Sequence, residues 1–205
     1  MNISILNYNA CNLASVYNAF YNLGAEVKII NKKEEFKKVD KLVIPGVGAA
    51  KSAIDYLHKT DLFNSVSEFL KSGNPILGIC LGFQIFSENL FENGFSSGFG
   101  HLKGSVVEFK ESKGKTKFHI GWNNIDINQD LKIFFNIQNR LNFYFCHSFF
   151  LKLDNTENLA HGTSNFQENF TSIVLKDNFL GTQFHPEKSQ KNGEKILKKF
   201  IYWQP

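Results

Sequence analysis

Cysteine is scarce in this 205-residue chain, and the three present, Cys11, Cys80 and Cys146, lie far apart. Such spacing excludes a disulfide framework and a CxxC metal site, and an odd count suits a reducing compartment. Arginine is scarcer: Arg140 stands alone, so the 23 basic side chains are almost all lysine. Lysines lack the planar fork that reads phosphate or guanine bidentately, and the net charge of +4 is mild. Both facts argue against a dedicated nucleic-acid binder. The richest basic run, from Lys110 to Lys117, is broken by Glu111 and reads as a solvated hairpin tip. No apolar run approaches the ~18 residues of a membrane span. Met1 leads straight into Asn2-Ile3-Ser4-Ile5-Leu6, a strand pattern rather than a signal peptide, so a soluble cytoplasmic protein is expected. The histidines are scattered without HExxH spacing, which speaks against a metal site.

What is present is a large apolar complement, 42% hydrophobic with 22 Phe, enough for a sizeable core in one domain over residues 1–205. Strand and helix signals alternate through the first half. Runs at 3–6, 27–30, 41–44 and 76–79 read as strands. Between them lie a helix carrying Leu13, Val16, Phe20 and Leu23, capped by Asn12 and stopped by Gly24, and a longer one over 49–71, broken near Thr60. Alternation of this kind predicts a parallel open sheet with helices on both faces. The second half carries short β-type runs at 105–109, 118–127, 142–150, 171–176 and 180–184, with helical patterning again only at Ile196, Leu197, Phe200 and Ile201. The fold class is therefore α/β: a mostly parallel open sheet with helices on both faces, plus a smaller antiparallel sheet.

Three segments carry chemistry. Gly78-Ile79-Cys80-Leu81-Gly82 joins a buried strand to an expected helix bearing Phe83, Ile85, Phe86 and Leu90. This is the nucleophile-elbow arrangement with Cys in place of Ser, in which helix amides and the helix dipole favour thiolate. On its own such a cysteine is as readily a core residue. Phe184-His185-Pro186-Glu187 places an imidazole and a carboxylate two residues apart, on the same side of an extended segment. A carboxylate there fixes the tautomer of the imidazole and stabilises its charged form. With Cys80 these residues supply nucleophile, base and orienter for acyl transfer through a thioester. Pro45-Gly46-Val47-Gly48 follows a strand on the same sheet edge and exposes amides suited to an oxyanion, and it lacks the GK[ST] ending of a phosphate loop.

In order along the chain stand P-G-V-G, G-I-C-L-G-x-Q, G-W-N, F-Y-F-x-H-S and G-x-Q-F-H-P-E-K-S. With these motifs the sequence resembles the class I (triad) glutamine amidotransferases. Asn12-Leu13 with Ser15-Val16, Gly121-Trp122-Asn123 and the F-H-P-E-K-S-Q run make it most similar to the glutaminase subunits of imidazole glycerol phosphate synthase. Cys11, Lys103 and Phe118 depart from that pattern, where Gly, Pro and Pro are usual.

The resemblance implies that Cys80 is the nucleophile, His185 the general base and acid, and Glu187 the orienting carboxylate. It implies an oxyanion hole from Val47, Gly48 and Leu81, and substrate binding by Gly46, Gln84, His147, Ser148 and Phe149. Asn12 and Lys188 are implied to face a partner subunit, a (β/α)8 cyclase bound as a heterodimer that receives ammonia released from glutamine. No cofactor, metal, nucleic acid or membrane is implied. Three other readings were open at this level: a paralogue feeding a cyclase-like partner in surface-sugar amidation, a non-catalytic activating scaffold, and a stand-alone cysteine hydrolase.

Overall fold

A computed structural model describes residues 1–111, 116–136, 141–157 and 159–205, and of Ile133 the backbone alone. Lys113, Lys115 and Arg140 lie outside the described residues, and with the two lysines half of the expected hairpin tip. Along the chain run β1 (Asn2–Leu6), α1 (Leu13–Asn22), β2 (Glu26–Ile30), β3 (Leu42–Ile44), α2 (Ala50–Lys59), α3 (Leu62–Lys71) and β4 (Ile76–Ile79). Next come α4 (Leu81–Gln84), β5 (Ser87–Leu90), β6 (Ser96–Ser97), β7 (Leu102–Glu108), β8 (His119–Ile127) and α5 (Gln129–Phe135). The chain closes with β9 (Leu141–His147), β10 (Phe149–Leu153), β11 (Ala160–Phe166), β12 (Glu168–Lys176), β13 (Phe179–Thr182) and α6 (Gln190–Tyr202).

Nine strands form one sheet in the order β2-β1-β3-β4-β13-β12-β11-β8-β9. Its first five strands are parallel neighbours, and the remaining four continue it antiparallel. A second sheet of four strands, β10-β7-β5-β6, is antiparallel except between β5 and β7. The central parallel strands β1, β3, β4 and β13 are buried on both faces, as crossover helices require, while the edge strand β2 is largely exposed. Ile3, Ile5, Val43, Leu77 and Ile79 meet α1 and α6 on one face. Leu42, Ile44 and Ile76 meet α2 and α3 on the other. The α2 residues buried there, Ala50, Ala53, Ile54 and Leu57, follow the helical i, i+3, i+4, i+7 spacing. The expected break in the 49–71 stretch falls at Thr60 and Asp61, where Asp61 takes φ 59°.

Three expectations are corrected. The helix after Cys80 is a single turn, and Ser87–Leu90 is strand. The carbonyls needed to extend the helix are taken across the chain: Phe99 N–H donates to Ile85 O and Leu102 N–H to Phe86 O. The run at 142–150 divides at Ser148 into β9 and β10, which belong to different sheets. Finally, helix reappears before the C-terminus as α5, and β11 had no expected counterpart.

Because β1, β3, β4 and β13 are adjacent and parallel, the segments after their carboxyl ends converge on one edge of the sheet. Those segments are the 7–12 loop, the 45–48 turn, Cys80 and residues 183–188.

Candidate active site

Cys80 links β4 to α4 with φ 54° and ψ −108°, a conformation costly for an L-residue and common where function demands it. Two glycines make the turn possible. A Cβ on Gly78 would stand 2.5 Å from Gly82 O, and one on Gly82 would stand 1.8 Å from Ile44 O. The Cys80 N–H donates to Thr182 O at 2.7 Å, which ties the elbow to β13. With α4 only one turn long, the expected helix dipole contributes little. A donor that the fold does bring to the sulfur is Gln183 Nε2, at 3.7 Å.

The next segment after β13 supplies the base. His185 and Glu187 are both buried, and His185 Nδ1 donates to Glu187 Oε1 at 2.8 Å. This bond fixes the ring's orientation. The segment is clamped to β9: His185 N–H donates to Tyr144 O, while Ser189 Oγ donates to His185 O and accepts from Tyr144 N–H. The pKa of His185 is raised to about 10. Burial alone lowers it, but the charge and hydrogen bond of Cys80, then those of Glu187, outweigh that effect.

Cys80 and His185 open onto a cleft of about 390 Å³. Leu81 and Gln84 share its floor, Val47 and Gly48 form one lip, and His147, Ser148 and Phe149 form the opposite wall. Lys188, Phe118 and Ile120 border it. Gly46 lies behind the lip, where a Cβ would stand 2.4 Å from Tyr8 Oη. Asn12 is exposed at the start of α1 and does not line the cleft; it makes no side-chain capping bond.

Two geometries refine the expected roles. Leu81 is the first residue of α4, so its N–H has no intrahelical acceptor and is available to an oxyanion. The Val47 N–H, by contrast, donates to Ala10 O at 2.7 Å and does not serve an oxyanion in this arrangement. The His147 ring has both nitrogens engaged, one with Phe149 O and one with His119.

Sequence reasoning missed three residues. Gln183 sat inside a quoted motif without a role. It is fully buried and bridges Gln84 to the Cys80 sulfur: Gln84 Nε2 donates to Phe149 O at 2.8 Å and to Gln183 Oε1 at 3.1 Å. Glu92, two residues beyond β5, reaches the cleft and accepts the Ala50 N–H at 2.6 Å. His119 is buried behind His147. Only Glu92's charge was legible, and nothing in its spacing singled it out. Among the described residues no group of three or more His, Cys, Asp or Glu is placed to hold a metal ion, and no helix is long and apolar enough to cross a membrane.

The family described as Glutamine amidotransferase class-I matches residues 4–203. The imidazole glycerol phosphate synthase subunit HisH of Sulfurimonas denitrificans is 40% identical over 205 residues, covering 98% of both chains. Subunit HisH 1 of Campylobacter jejuni strain RM1221 is 38% identical over 200 residues, 97% of this chain and 98% of that one. The solved structure of PurLQS from Thermotoga maritima superimposes with a TM-score of 0.74 at 19% identity, over 98% of this chain and 97% of that one, and speaks for the fold alone. The chain belongs to the class-I glutamine amidotransferase family and, within it, to the imidazole glycerol phosphate synthase subunit HisH family.

Proposed function

We propose that this chain, as one amidotransferase domain over residues 1–205, hydrolyses glutamine to glutamate and ammonia. The observation that carries this reading is the buried His185–Glu187 pair facing Cys80 at a strained elbow. The His185 imidazole takes the thiol proton, and the Cys80 sulfur attacks the carboxamide carbon. The Leu81 N–H stabilises the oxyanion that forms. His185 returns its proton to the departing nitrogen, ammonia leaves, and a thioester remains on Cys80. Water activated by His185 then adds to the thioester and releases glutamate. Glu187 holds the ring throughout. The Gln84 Oε1 and the Glu92 carboxylate are acceptors in the cleft for the substrate's ammonium group, and no cofactor is required.

The same reading gives the ammonia a destination. Protonated in water, ammonia is no longer a nucleophile, so release into a docked partner conserves it. The relatives are named as subunits of a synthase, and the partner proposed here is a (β/α)8 cyclase acting in histidine biosynthesis in the cytoplasm. Phe118, just before β8, and Ile120 and Trp122 on it are 53%, 63% and 48% exposed; the first two border the cleft and Trp122 extends the apolar surface beyond it. Lys188 Nζ lies 6.0 Å above the Tyr144 ring on the same rim. Exposed apolar side chains concentrated around an exit suit a docking face. The Val47–Ala10 bond lies between the oxyanion turn and the 7–12 loop, which leads to Asn12. Docking that moves this loop frees the Val47 amide to turn toward the oxyanion.

The test is alkylation by a glutamine mimic such as diazo-oxo-norleucine. It is expected to label Cys80 and to leave Cys11 and Cys146 largely unmodified. Equal labelling of all three thiols in the folded protein would contradict the reading.

A further inference from the structure

Two histidines stand in series at the cleft wall, His147 lining it and His119 buried behind, and neither is used by the chemistry above. His119 Nδ1 lies 2.9 Å from His147 Nε2, and His147 Nδ1 lies 2.8 Å from Phe149 O. At the far end Asn123 Nδ2 lies 3.2 Å from His119 Nε2. The orientation of the Asn123 amide is fixed, because its nitrogen also donates to Asn165 O and its oxygen accepts the Asn124 N–H.

The ends of this chain determine every proton in it. Phe149 O only accepts, so His147 carries its proton on Nδ1 and accepts on Nε2. His119 must then donate from Nδ1 and accept on Nε2, which matches the Asn123 N–H at the other end. Charging His119 would turn its Nε2 donor toward a donor, and charging His147 would do the same to the His119 Nδ1–H. Only two neutral Nδ1–H imidazoles satisfy the geometry. Burial acts in the same direction: it lowers the pKa of His119 to about 4. Burial, then the neighbouring charges of His119 and His185, lower that of His147 to about 3. The His119 ring is also stacked between Phe145 and Phe166 at centroid distances of 4.7 and 4.4 Å.

Phe149 O is where this chain meets the active site. It accepts from His147 on one side and from Gln84 Nε2 on the other, and Gln84 continues through Gln183 to the Cys80 sulfur. We propose that Asn123 and His119 are positioning residues of the glutaminase, a hydrogen-bond relay of fixed direction that holds His147 and the Phe149 carbonyl and thereby sets Gln84 against the substrate. The inference rests on the glutaminase reading for its consequence in turnover, and on geometry alone for its proton arrangement.

The experiment has two arms on the full chain. In the first, 15N NMR of the histidine side chains in the substrate-free protein at neutral pH reads the tautomers. Nδ1–H signals for both His119 and His147 are expected; an imidazolium or an Nε2–H form at either overturns the relay. In the second, steady-state glutamine hydrolysis is compared, with the cyclase present, for wild type, His119→Phe and His119→Asn. Phenylalanine fills the ring stack but has no nitrogen, so KM for glutamine is expected to rise about tenfold with kcat changed less than about threefold. Asparagine leaves space in the stack yet restores a donor near the Nδ1 position, so it should recover most of that loss. A packing role predicts the reverse order, and asparagine behaving worse than phenylalanine, or an unchanged KM in both, overturns the proposal. Absence of Cys80-dependent hydrolysis in wild type would instead refute the glutaminase reading and leave the tautomer arm to judge the relay.

Discussion

At the scale of single residues, the account turns on where one proton sits. His185 has a folded pKa of about 10 against an ordinary 6.5, although burial acts to lower it. The negative charge at Cys80 is the foremost cause of the rise, so Cys80→Ala should bring the His185 pKa down well below about 10, as read by NMR titration. A His185 value unchanged in that variant would mean the two side chains are not coupled. The linkage has a definite sign. Because the folded pKa is the higher, protonation of His185 contributes stability that is fully present below pH 6.5 and is lost as pH rises through about 10. Wild type should therefore lose more unfolding free energy over that interval than Cys80→Ala. The residues of the proposed triad could be singled out in the sequence because their spacing is local: Cys80 sits between two glycines, and His185 and Glu187 share one side of a short extended segment. Gln183, Glu92 and His119 were not, since each acquires its role from a residue brought near by folding.

At the scale of elements, the elbow depends on the close crossing of β3 and α4. A Cβ on Gly82 would meet the Ile44 backbone oxygen at 1.8 Å, and a backbone atom has no rotamer by which to retreat. Gly82→Ala should accordingly destabilise the protein by ~3 kcal/mol or more in denaturant titration. A loss under about 1 kcal/mol would show that the crossing is looser than described. The central parallel strands were readable as short apolar runs because burial on both faces leaves a simple pattern. The segment after Cys80 was not. Phe83, Ile85, Phe86 and Leu90 fit a helix and a strand about equally over so short a stretch, and the hydrogen bonds from Phe99 and Leu102 decide between them. The division of 142–150 at Ser148 is likewise invisible locally, since both halves are strand and only their sheets differ.

At the scale of the whole molecule, the proposed catalytic edge and the proposed docking face share one rim. Lys188 adjoins Glu187 in sequence and overlies Tyr144, whose backbone holds His185. Lys188→Ala is expected to weaken cyclase binding about fivefold in a titration, and to lower partner-stimulated turnover with it. Unchanged affinity together with unchanged turnover would remove Lys188 from the interface. The central claim is that Cys80 makes ammonia and that the partner consumes it. Its most direct measurement is product formation by the Cys80→Ala complex with either nitrogen source. The account predicts that synthesis from glutamine is lost while synthesis from ammonium salts persists at the wild-type level. Glutamine-dependent synthesis near the wild-type rate in that variant would contradict it.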